Sequence, residues 1–159
     1  MKKINSHRMA EHTWVSPKGK FEHGSKELSV ALGREPASTD LLKRHPFDVE
    51  IMRIPAGKAG NPYHSHSAQW EFYHVIAGTG SVRDEGGLTP VEPGDAFIFG
   101  PGGAHQIIND SAGDLVFYVV ADNPTGETCH YPDSRKWLVR SPGRALIRSE
   151  PLDYFDGEE

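Results

Sequence analysis

The chain has one cysteine, Cys129, among its 159 residues. A single cysteine excludes a disulfide within the chain and a cysteine-rich zinc site. Long apolar runs are also missing, so no stretch is long enough to cross a bilayer. The basic start MKKINSHRMAEHTW is not followed by the apolar run of a signal peptide. We therefore expect a cytoplasmic location and no membrane partner.

Basic residues are in the minority, with 17 Lys and Arg against 22 Asp and Glu and a formal net charge of −5. No block of Lys and Arg is interleaved with aromatic residues, and no DNA-binding helix pair is visible, so we expect no nucleic-acid partner. The length and the hydrophobic fraction of 36% are typical of one globular domain with its own core.

Glycine and proline are abundant, at 17 and 12 residues, and they favour a fold with many turns. From Phe47 onward, short alternating or apolar runs are separated by turn sequences such as EGG and EPGD. Phe47, Val49 and Ile51 share one face of the first of these strands. This pattern predicts an all-β sandwich or small barrel. The predicted strands are 47–51, 63–66, 71–77, 81–84, 88–91, 96–99, 105–108 and 115–121.

The two ends of the chain differ from this pattern. Residues 1–46 are interpreted as an N-terminal arm and connector that lies on the domain or on a partner subunit. Within them, residues 27–32 form a strand or, alternatively, a short helix ended by Gly33, and one helical turn begins at Asp40. Residues 47–123 are the predicted barrel core. Residues 124–159 complete the same domain, with a polar loop over 124–136, edge strands at 137–139 and 145–147, and a tail held by Tyr154 and Phe155.

One stretch, HSHSAQWEFYHVIAG at residues 64–78, carries a pattern typical of metal ligands. Side chains at i and i+2 of a strand point to the same side, so His64 and His66 project together. Glu71 has the wrong parity for the same straight strand, so residues 67–70 must turn the chain and Glu71 must begin a neighbouring strand. On that strand Tyr73 shares the inward face of Glu71, whereas His74 points outward.

A third histidine, His105, begins a later strand after the glycine-rich turn GPGGA. Three imidazoles and one carboxylate suffice to bind one divalent ion, and imidazole favours Fe, Mn, Ni, Zn or Co over Mg²⁺ or Ca²⁺. The predicted metal ligands are His64, His66, Glu71 and His105. Tyr73 is the catalytic candidate, although core packing explains an inward tyrosine equally well.

The stretch from Gly57 to Gly78 resembles the first cupin motif, in which a turn glycine precedes H-x-H, four residues, Glu, six residues and Gly. His64, His66, Glu71 and Gly78 keep this spacing, whereas Gly57 lies one residue further from His64 than in the usual pattern. The second cupin motif also has a counterpart, with one departure where its proline position holds glycine and the proline follows one residue late. The positions concerned are Gly94, Gly100, Pro101, Gly102, His105 and Asn109.

The resemblance implies a cupin double-stranded β-helix, or jelly-roll barrel, that forms a homodimer and holds a metal in its mouth through three His and one Glu. The chain is also similar to small bacterial cupins described as sugar-phosphate isomerases. Such a metal centre suits three functions: isomerisation through a polarised carbonyl, dioxygenation with iron, or binding of a small molecule without turnover. We favour an enzyme and expect Asn109 to hydrogen-bond within a turn. Three basic residues are candidates for binding an anionic substrate, namely Arg53, Lys58 and Arg83.

Overall fold

Three antiparallel sheets make up most of the part of the chain that the computed structural model describes, residues 1–38, 40–140 and 144–158. The all-β fold class is therefore confirmed. In chain order the strands are β1 His12–Val15, β2 Glu22–Glu27, β3 Phe47–Ile54, β4 Ser65–His66, β5 Glu71–Ala77, β6 Gly80–Asp84, β7 Gly87–Val91, β8 Ala96–Phe99, β9 Gln106–Ile108, β10 Leu115–Asp122, β11 Cys129–Tyr131, β12 Lys136–Val139 and β13 Ala145–Ile147.

The sheets have six, four and three strands. The six-stranded sheet has the order β1-β2-β3-β10-β5-β8, the four-stranded sheet β13-β12-β11-β4, and the three-stranded sheet β7-β6-β9. Strands that are distant in sequence thus become neighbours, as in the pairing of β10 with both β3 and β5. The predicted strand 71–77 has the bounds of β5, and the predicted edge strands correspond to β12 and β13.

The N-terminal residues contribute to the largest sheet, because β1 and β2 form a hairpin whose second strand pairs with β3. Leu28–Ala31 is a short helix, α1, so the strand reading of residues 27–32 is wrong and the helix reading is confirmed. The helical turn predicted to begin at Asp40 is also present as α2, Leu41–Arg44, and the Asp40 side chain accepts a hydrogen bond from the Leu42 N–H. The remaining short helices are 3₁₀ turns at Ser6–Arg8 and Pro132–Ser134.

The core lies between the six-stranded and three-stranded sheets. Strand β10 alternates buried and partly buried residues along its whole length, as expected for a strand with one face in the core. In β3 the inward face carries Met52 and Ile54, so the face shared by Phe47, Val49 and Ile51 points outward. The buried residues that form the core are Met52, Ile54, Tyr73, Val75, Val82, Val91, Ile107, Leu115, Phe117 and Val119.

The outward surface of the six-stranded sheet is apolar across several strands. In its centre Val49 of β3 faces Val120 of β10, Val120 faces Phe72 of β5, and Phe72 faces Ile98 of β8. Phe72 and Ile98 are exposed, at 39% and 56% of their surfaces. We call this row, together with Ile51, the outer sheet face. It is a large apolar area for a surface that touches only solvent.

Two expectations for the C-terminal part are wrong. A polar loop was predicted over 124–136, but Cys129–Tyr131 form β11 because they pair with β4 on one side and β12 on the other. Tyr154 and Phe155 were predicted to hold the tail, yet both are exposed, at 88% and 58% of their surfaces, and their rings contact each other. Among the described residues, no helix has both the length and the apolar character needed to cross a membrane.

Candidate metal centre

The predicted ligands meet where the three sheets come together. His64 and His66 lie at β4 in the four-stranded sheet, Glu71 begins β5 in the six-stranded sheet, and His105 directly precedes β9 in the three-stranded sheet. His64 and His105 are joined by two backbone hydrogen bonds, with N–O distances of 3.1 and 2.8 Å. The site is therefore a product of the closed fold.

The ligand atoms of these predicted metal ligands lie close to one another. His64, His66 and Glu71 each offer an atom within 4.8 Å of the others. His105 reaches the same carboxylate, with its Nε2 2.9 Å from Glu71 Oε2. His66 Nε2 lies 3.4 Å from that oxygen. Glu71 is thus the common neighbour of the three predicted histidine ligands, and His74 is exposed on the opposite side of β5, as predicted.

The ring orientation of two histidines is fixed by backbone carbonyl oxygens. His64 Nδ1 donates to Pro62 O at 2.9 Å, and His105 Nδ1 donates to Gly103 O at 3.1 Å. Because a carbonyl oxygen only accepts, each Nδ1 carries the proton and each Nε2 is left with its lone pair toward the centre. This is the usual tautomer of a histidine that binds metal through Nε2.

Glu127 orients the third imidazole and also holds the turn that follows it. Its Oε1 accepts from His66 Nδ1 at 3.1 Å and from the Ser67 N–H at 3.0 Å. Its Oε2 accepts from the Ala68 and Gln69 N–H groups at 2.9 and 3.0 Å. Glu127 is buried, and sequence reasoning missed it because it stands about sixty residues from the motif in a polar stretch.

Cys129 also lies beside the centre, although no role was expected for it from the sequence. It is buried in β11 opposite His66, and its Sγ is 3.5 Å from His66 Nδ1. The expectation failed because residues 124–136 were read as a loop. As a small, partly apolar side chain, Cys129 fills the space between β11 and the His66 ring.

Aromatic residues complete the wall of the site. Phe99 stacks in parallel on the His105 ring, with 4.1 Å between ring centroids. The Tyr73 hydroxyl donates to Glu71 Oε2 at 3.0 Å and lies 3.1 Å from His105 Nε2. Burial, together with the charge of Glu71, raises the pKa of Tyr73 well above its usual value. Tyr73 is therefore a neutral hydrogen-bond donor in this site.

Burial and mutual contacts shift the pKa values of the ligands. Burial, followed by the neighbouring His105, lowers the pKa of His64 to about 4, so this imidazole is neutral at physiological pH. Burial alone would raise the pKa of Glu71, but its close contacts with His105 and His66 hold it well below its usual value. Burial opposes protonation of His66, yet its contacts with Cys129 and Glu71 outweigh it and raise its pKa to about 10.

The arrangement fits a cation. The Nε2 of His66 is fully buried without a hydrogen-bond partner among the described residues. It points at the same carboxylate as the lone-pair nitrogens of His64 and His105. Several electron pairs that face one another repel unless a proton or a metal ion lies between them. Three imidazoles and a carboxylate are a donor set that suits a first-row divalent metal.

Two adjoining cavities open next to the ligands. The inner one, about 60 Å³, is lined by His64, Glu71 and His105 together with Tyr73 and Glu50. The outer one, about 160 Å³, is polar and shares Glu50, Glu71 and Val119 with the inner cavity. Its other walls come from Arg34, Asp48, Gln69, Ala121, Asn123 and Arg140. A small polar molecule can therefore lie against the ligand set.

The basic residues singled out in the sequence are engaged elsewhere. Arg53 pairs with Glu11 and Asp114, and Arg83 forms two hydrogen bonds with Asp133 at 2.7 and 2.9 Å. The Lys58 ammonium donates to a backbone carbonyl at 2.6 Å. None of the three lines either cavity beside the ligands, whereas Arg34 and Arg140, which the sequence did not single out, line the outer one.

Two residues of the second motif, Asn109 and Gly100, have structural roles. Asn109 is fully buried and donates to the Ile54 and Gly113 carbonyls, each at 2.7 Å, which confirms its expected place as a hydrogen-bonding turn residue. A Cβ added to Gly100 would come within 2.9 Å of the Trp70 ring. A side chain at Gly100 would therefore displace the ring of Trp70, which covers this turn.

Comparisons with known proteins agree with the geometry. Residues 50–121 match the family described as the cupin domain. Over 69 residues the chain is 32% identical to an oxalate-binding protein of Thermotoga maritima, a match that spans 43% of this chain and only 56% of that relative.

Two solved structures resemble nearly the whole chain. One is a provisionally assigned sugar phosphate isomerase of Acidithiobacillus ferrooxidans, with 25% identity, a TM-score of 0.78 and coverage of 92% of each chain. The other is a sugar phosphate isomerase from a cupin superfamily, of Silicibacter pomeroyi, with 25% identity, a TM-score of 0.77 and coverage of 96% of this chain and 98% of that one.

Proposed function

We propose that the chain binds one divalent transition metal and acts there on a small molecule, on the premise that residues 50–121 match the family described as the cupin domain. The proposed ligands are His64, His66, Glu71 and His105. The observation that carries the proposal is the buried Nε2 of His66, which lacks a partner and faces a carboxylate already approached by His105. A divalent cation would satisfy all of these donor atoms at once.

Metal analysis of the purified protein tests this proposal. We expect close to one first-row metal per chain, and we expect His66→Ala or Glu71→Ala to abolish binding. His74→Ala is the matched control, because His74 lies on the same strand as Glu71 but is exposed on the outer side. A protein that contains no such metal and takes none up on titration would contradict the proposal.

We favour isomerisation of a phosphorylated sugar as the reaction. A bound metal would polarise a substrate carbonyl and stabilise the negative charge that develops on its oxygen. Support comes from the two sugar phosphate isomerase structures, which match this chain over more than nine-tenths of its length at 25% identity. Further support comes from Tyr73, proposed here as a neutral donor that keeps Glu71 oriented. Isomerisation needs no oxidant, whereas the alternative dioxygenase reaction needs iron and O₂.

The two reactions are separable by assay. Sugar phosphates of three to six carbons are incubated with the metal-loaded protein and followed by NMR, while O₂ uptake by the Fe²⁺ form is measured with diols, thiols and keto acids. Conversion of an aldose phosphate to a ketose phosphate supports the isomerase. O₂ uptake that depends on one of these substrates, without any isomerisation, would instead support the dioxygenase.

A second candidate function is binding without turnover. It is favoured by the similarity to the oxalate-binding protein, which is 32% identical to this chain over 69 residues. Oxalate would offer two carboxylates, and small dicarboxylates chelate divalent metals well. A thermal shift with oxalate that requires the bound metal, in a protein that converts no sugar phosphate, would favour this candidate.

We also propose that the chain forms a homodimer through the outer sheet face. Phe72 and Ile98 expose apolar side chains on this face beside the partly buried Val49 and Val120, and Phe72 belongs to the strand that carries Glu71 and Tyr73 on its other side. Burial of such a face removes apolar surface from water, which is the main driving force of stable association. Size-exclusion chromatography with light scattering gives a dimer if this is correct, and a clean monomer contradicts it.

A further inference from the structure

Glu50 is an acidic residue on the inward face of β3, where the neighbouring inward residues Met52 and Ile54 belong to the core. Its side chain lines both the inner and the outer cavity. Among the hydrogen bonds and ion pairs of the described residues, none involves its carboxyl group, whereas Asp48 on the same strand binds Arg34 at 2.6 Å. A carboxyl group that faces a cavity without a protein partner is free to contact a ligand.

The strand register places this carboxyl opposite the ligand set without making it part of that set. Glu50 faces Val119 across the β3–β10 pair, and Val119 faces Tyr73 across the β10–β5 pair. Residues that face one another in this way share one side of the sheet. Glu50 is thus two strands away from Tyr73 and Glu71, and the two cavities lie along this side.

The surroundings of Glu50 also suit proton transfer. Burial, followed by the nearby carboxylates of Asp48, Glu27 and Glu71, raises the pKa of Glu50 to about 7, and Arg34 partly offsets these effects. A general base works best when its pKa lies near the working pH, because it then both accepts and returns a proton readily. The protein therefore holds an unpartnered carboxyl group with suitable acidity at the site where substrate would lie.

We propose that Glu50 is the acid–base residue that carries a proton between two neighbouring carbons of the substrate. This inference rests on the proposed isomerase function. Glu50 takes the proton from the hydroxyl-bearing carbon next to the carbonyl, and the electron pair of that C–H bond forms a carbon–carbon double bond. The carbonyl oxygen becomes an oxyanion and takes the proton of the neighbouring hydroxyl.

In the second half of the reaction, the oxygen that gave up its hydroxyl proton is an oxyanion, and it forms a carbonyl with its own carbon. The electrons of the double bond then take the proton from Glu50 at the carbon that first carried the carbonyl. Atoms and electrons balance, because the substrate and the product differ only in where one carbon-bound hydrogen, one hydroxyl hydrogen and the carbonyl lie. The outer cavity accommodates the rest of the molecule, next to Arg34 and Arg140. Arg34 Nε, which is buried without a partner among the described residues, is a donor available to an oxygen of that ligand.

The test compares the metal-loaded wild type with Glu50→Gln and Glu50→Asp in deuterium oxide. Glyceraldehyde 3-phosphate, ribose 5-phosphate, fructose 6-phosphate and their isomers serve as probes, and mass spectrometry measures deuterium taken up at carbon. Metal content and the thermal shift produced by each probe are measured on the same samples. Glu85→Gln is the matched control, because Glu85 is exposed in the β6–β7 turn and outside both cavities.

We expect Glu50→Gln to keep its metal and its probe-induced thermal shift but to lose about 10²- to 10⁴-fold in exchange and isomerisation, the usual contribution of general acid–base catalysis. Glu50→Asp should recover part of this loss. Exchange at the wild-type rate in Glu50→Gln would overturn the role of Glu50 and leave the isomerase intact. A wild type that binds metal but neither exchanges nor isomerises any probe would overturn both the isomerase and this inference.

Discussion

Replacement of Glu127 by glutamine tests how the metal centre is held in place. The carboxylate accepts two N–H hydrogen bonds at each oxygen, from His66 Nδ1 and the backbone N–H groups of Ser67, Ala68 and Gln69, and Oε2 also accepts a longer one of 3.4 Å from the Ser67 hydroxyl. An amide has only one oxygen, so its NH₂ group must replace the other one. Whichever way the amide is turned, two donors lose their acceptor and face a third donor. The change preserves the size of the side chain and alters only this pattern.

The magnitude follows from the number of lost bonds. A buried donor left without an acceptor costs about 1 to 3 kcal/mol, so two of them lower the free energy of unfolding by about 2 to 6 kcal/mol. Because His66 loses its fixed orientation or the adjacent turn loosens, metal affinity should fall about 10- to 100-fold, as is usual when the partner of a metal-binding histidine is removed.

Two measurements check this prediction. Urea unfolding of the metal-free protein, followed by circular dichroism, gives the change in stability, and competition with a chelator gives the metal affinity. Glu85→Gln makes the same chemical change at an exposed position and should leave both quantities unaltered. If Glu127→Gln unfolds and binds metal as the wild type does, Glu127 does not hold the site together and the reasoning is refuted.

Three further predictions concern pH and assembly. Metal affinity should keep rising from about pH 6 to about pH 9. The reason is that a metal must displace the proton of His66, whose pKa is raised to about 10 without metal, whereas His64 is already neutral. An affinity that levels off near pH 7 in chelator titrations contradicts this prediction. Glu50, whose pKa is raised to about 7, makes the metal-free protein less stable as pH rises through its unfolded and folded pKa values. Glu50→Gln should therefore gain about 2 to 3 kcal/mol in unfolding free energy relative to wild type between about pH 5 and about pH 8. If urea unfolding gives the same difference between the two proteins at every pH, the raised pKa of Glu50 is excluded. Ile98→Glu places a charge on the outer sheet face and should convert a dimer into a monomer, as measured by light scattering. The fold should be kept, because Ile98 is 56% exposed in the single chain. If the variant is still a dimer, the interface lies elsewhere.

The ligand set was predictable because its information is local. The spacing of His64, His66 and Glu71, combined with alternation along a strand, predicted both the turn after β4 and the inward direction of Glu71 and Tyr73. The structure places these side chains together and leaves His74 outside. Whether they bind metal stays a prediction, as do the division of the chain at residues 46 and 123 and the catalytic role of Tyr73.

Glu50 could not be recognised from the sequence, because the apolar side of β3 suggested the wrong orientation. Phe47, Val49 and Ile51 alternate as core residues do, and on that reading Glu50 would face solvent. The strand instead turns Glu50 inward with Met52, and its apolar outer side belongs to the outer sheet face. The inward side of β3 is acidic at Asp48 and Glu50 and apolar only at Met52 and Ile54, so the alternation at the start of the strand indicated the wrong side as buried.

Glu127 was missed for a different reason. No local pattern marks it, since its partners His66 and the turn at 67–69 precede it by about sixty residues. Only the pairing of β11 with β4 brings them together, and two-residue strands such as β4 carry almost no sequence signal of their own. Contacts between distant, short strands are set by the whole fold, which a reading of local periodicity does not capture.

The pairing of β4 with β11 also fixes when the site can form during synthesis. β4 is two residues long and has one strand partner, β11, so His66 lacks its neighbouring strand until Cys129 has left the ribosome. The hairpin of β6 and β7 needs only a short loop and can close much earlier. The last strand of the core, β10, precedes β11 in the chain, so the proposed metal centre can reach its native geometry only after every core strand has been made.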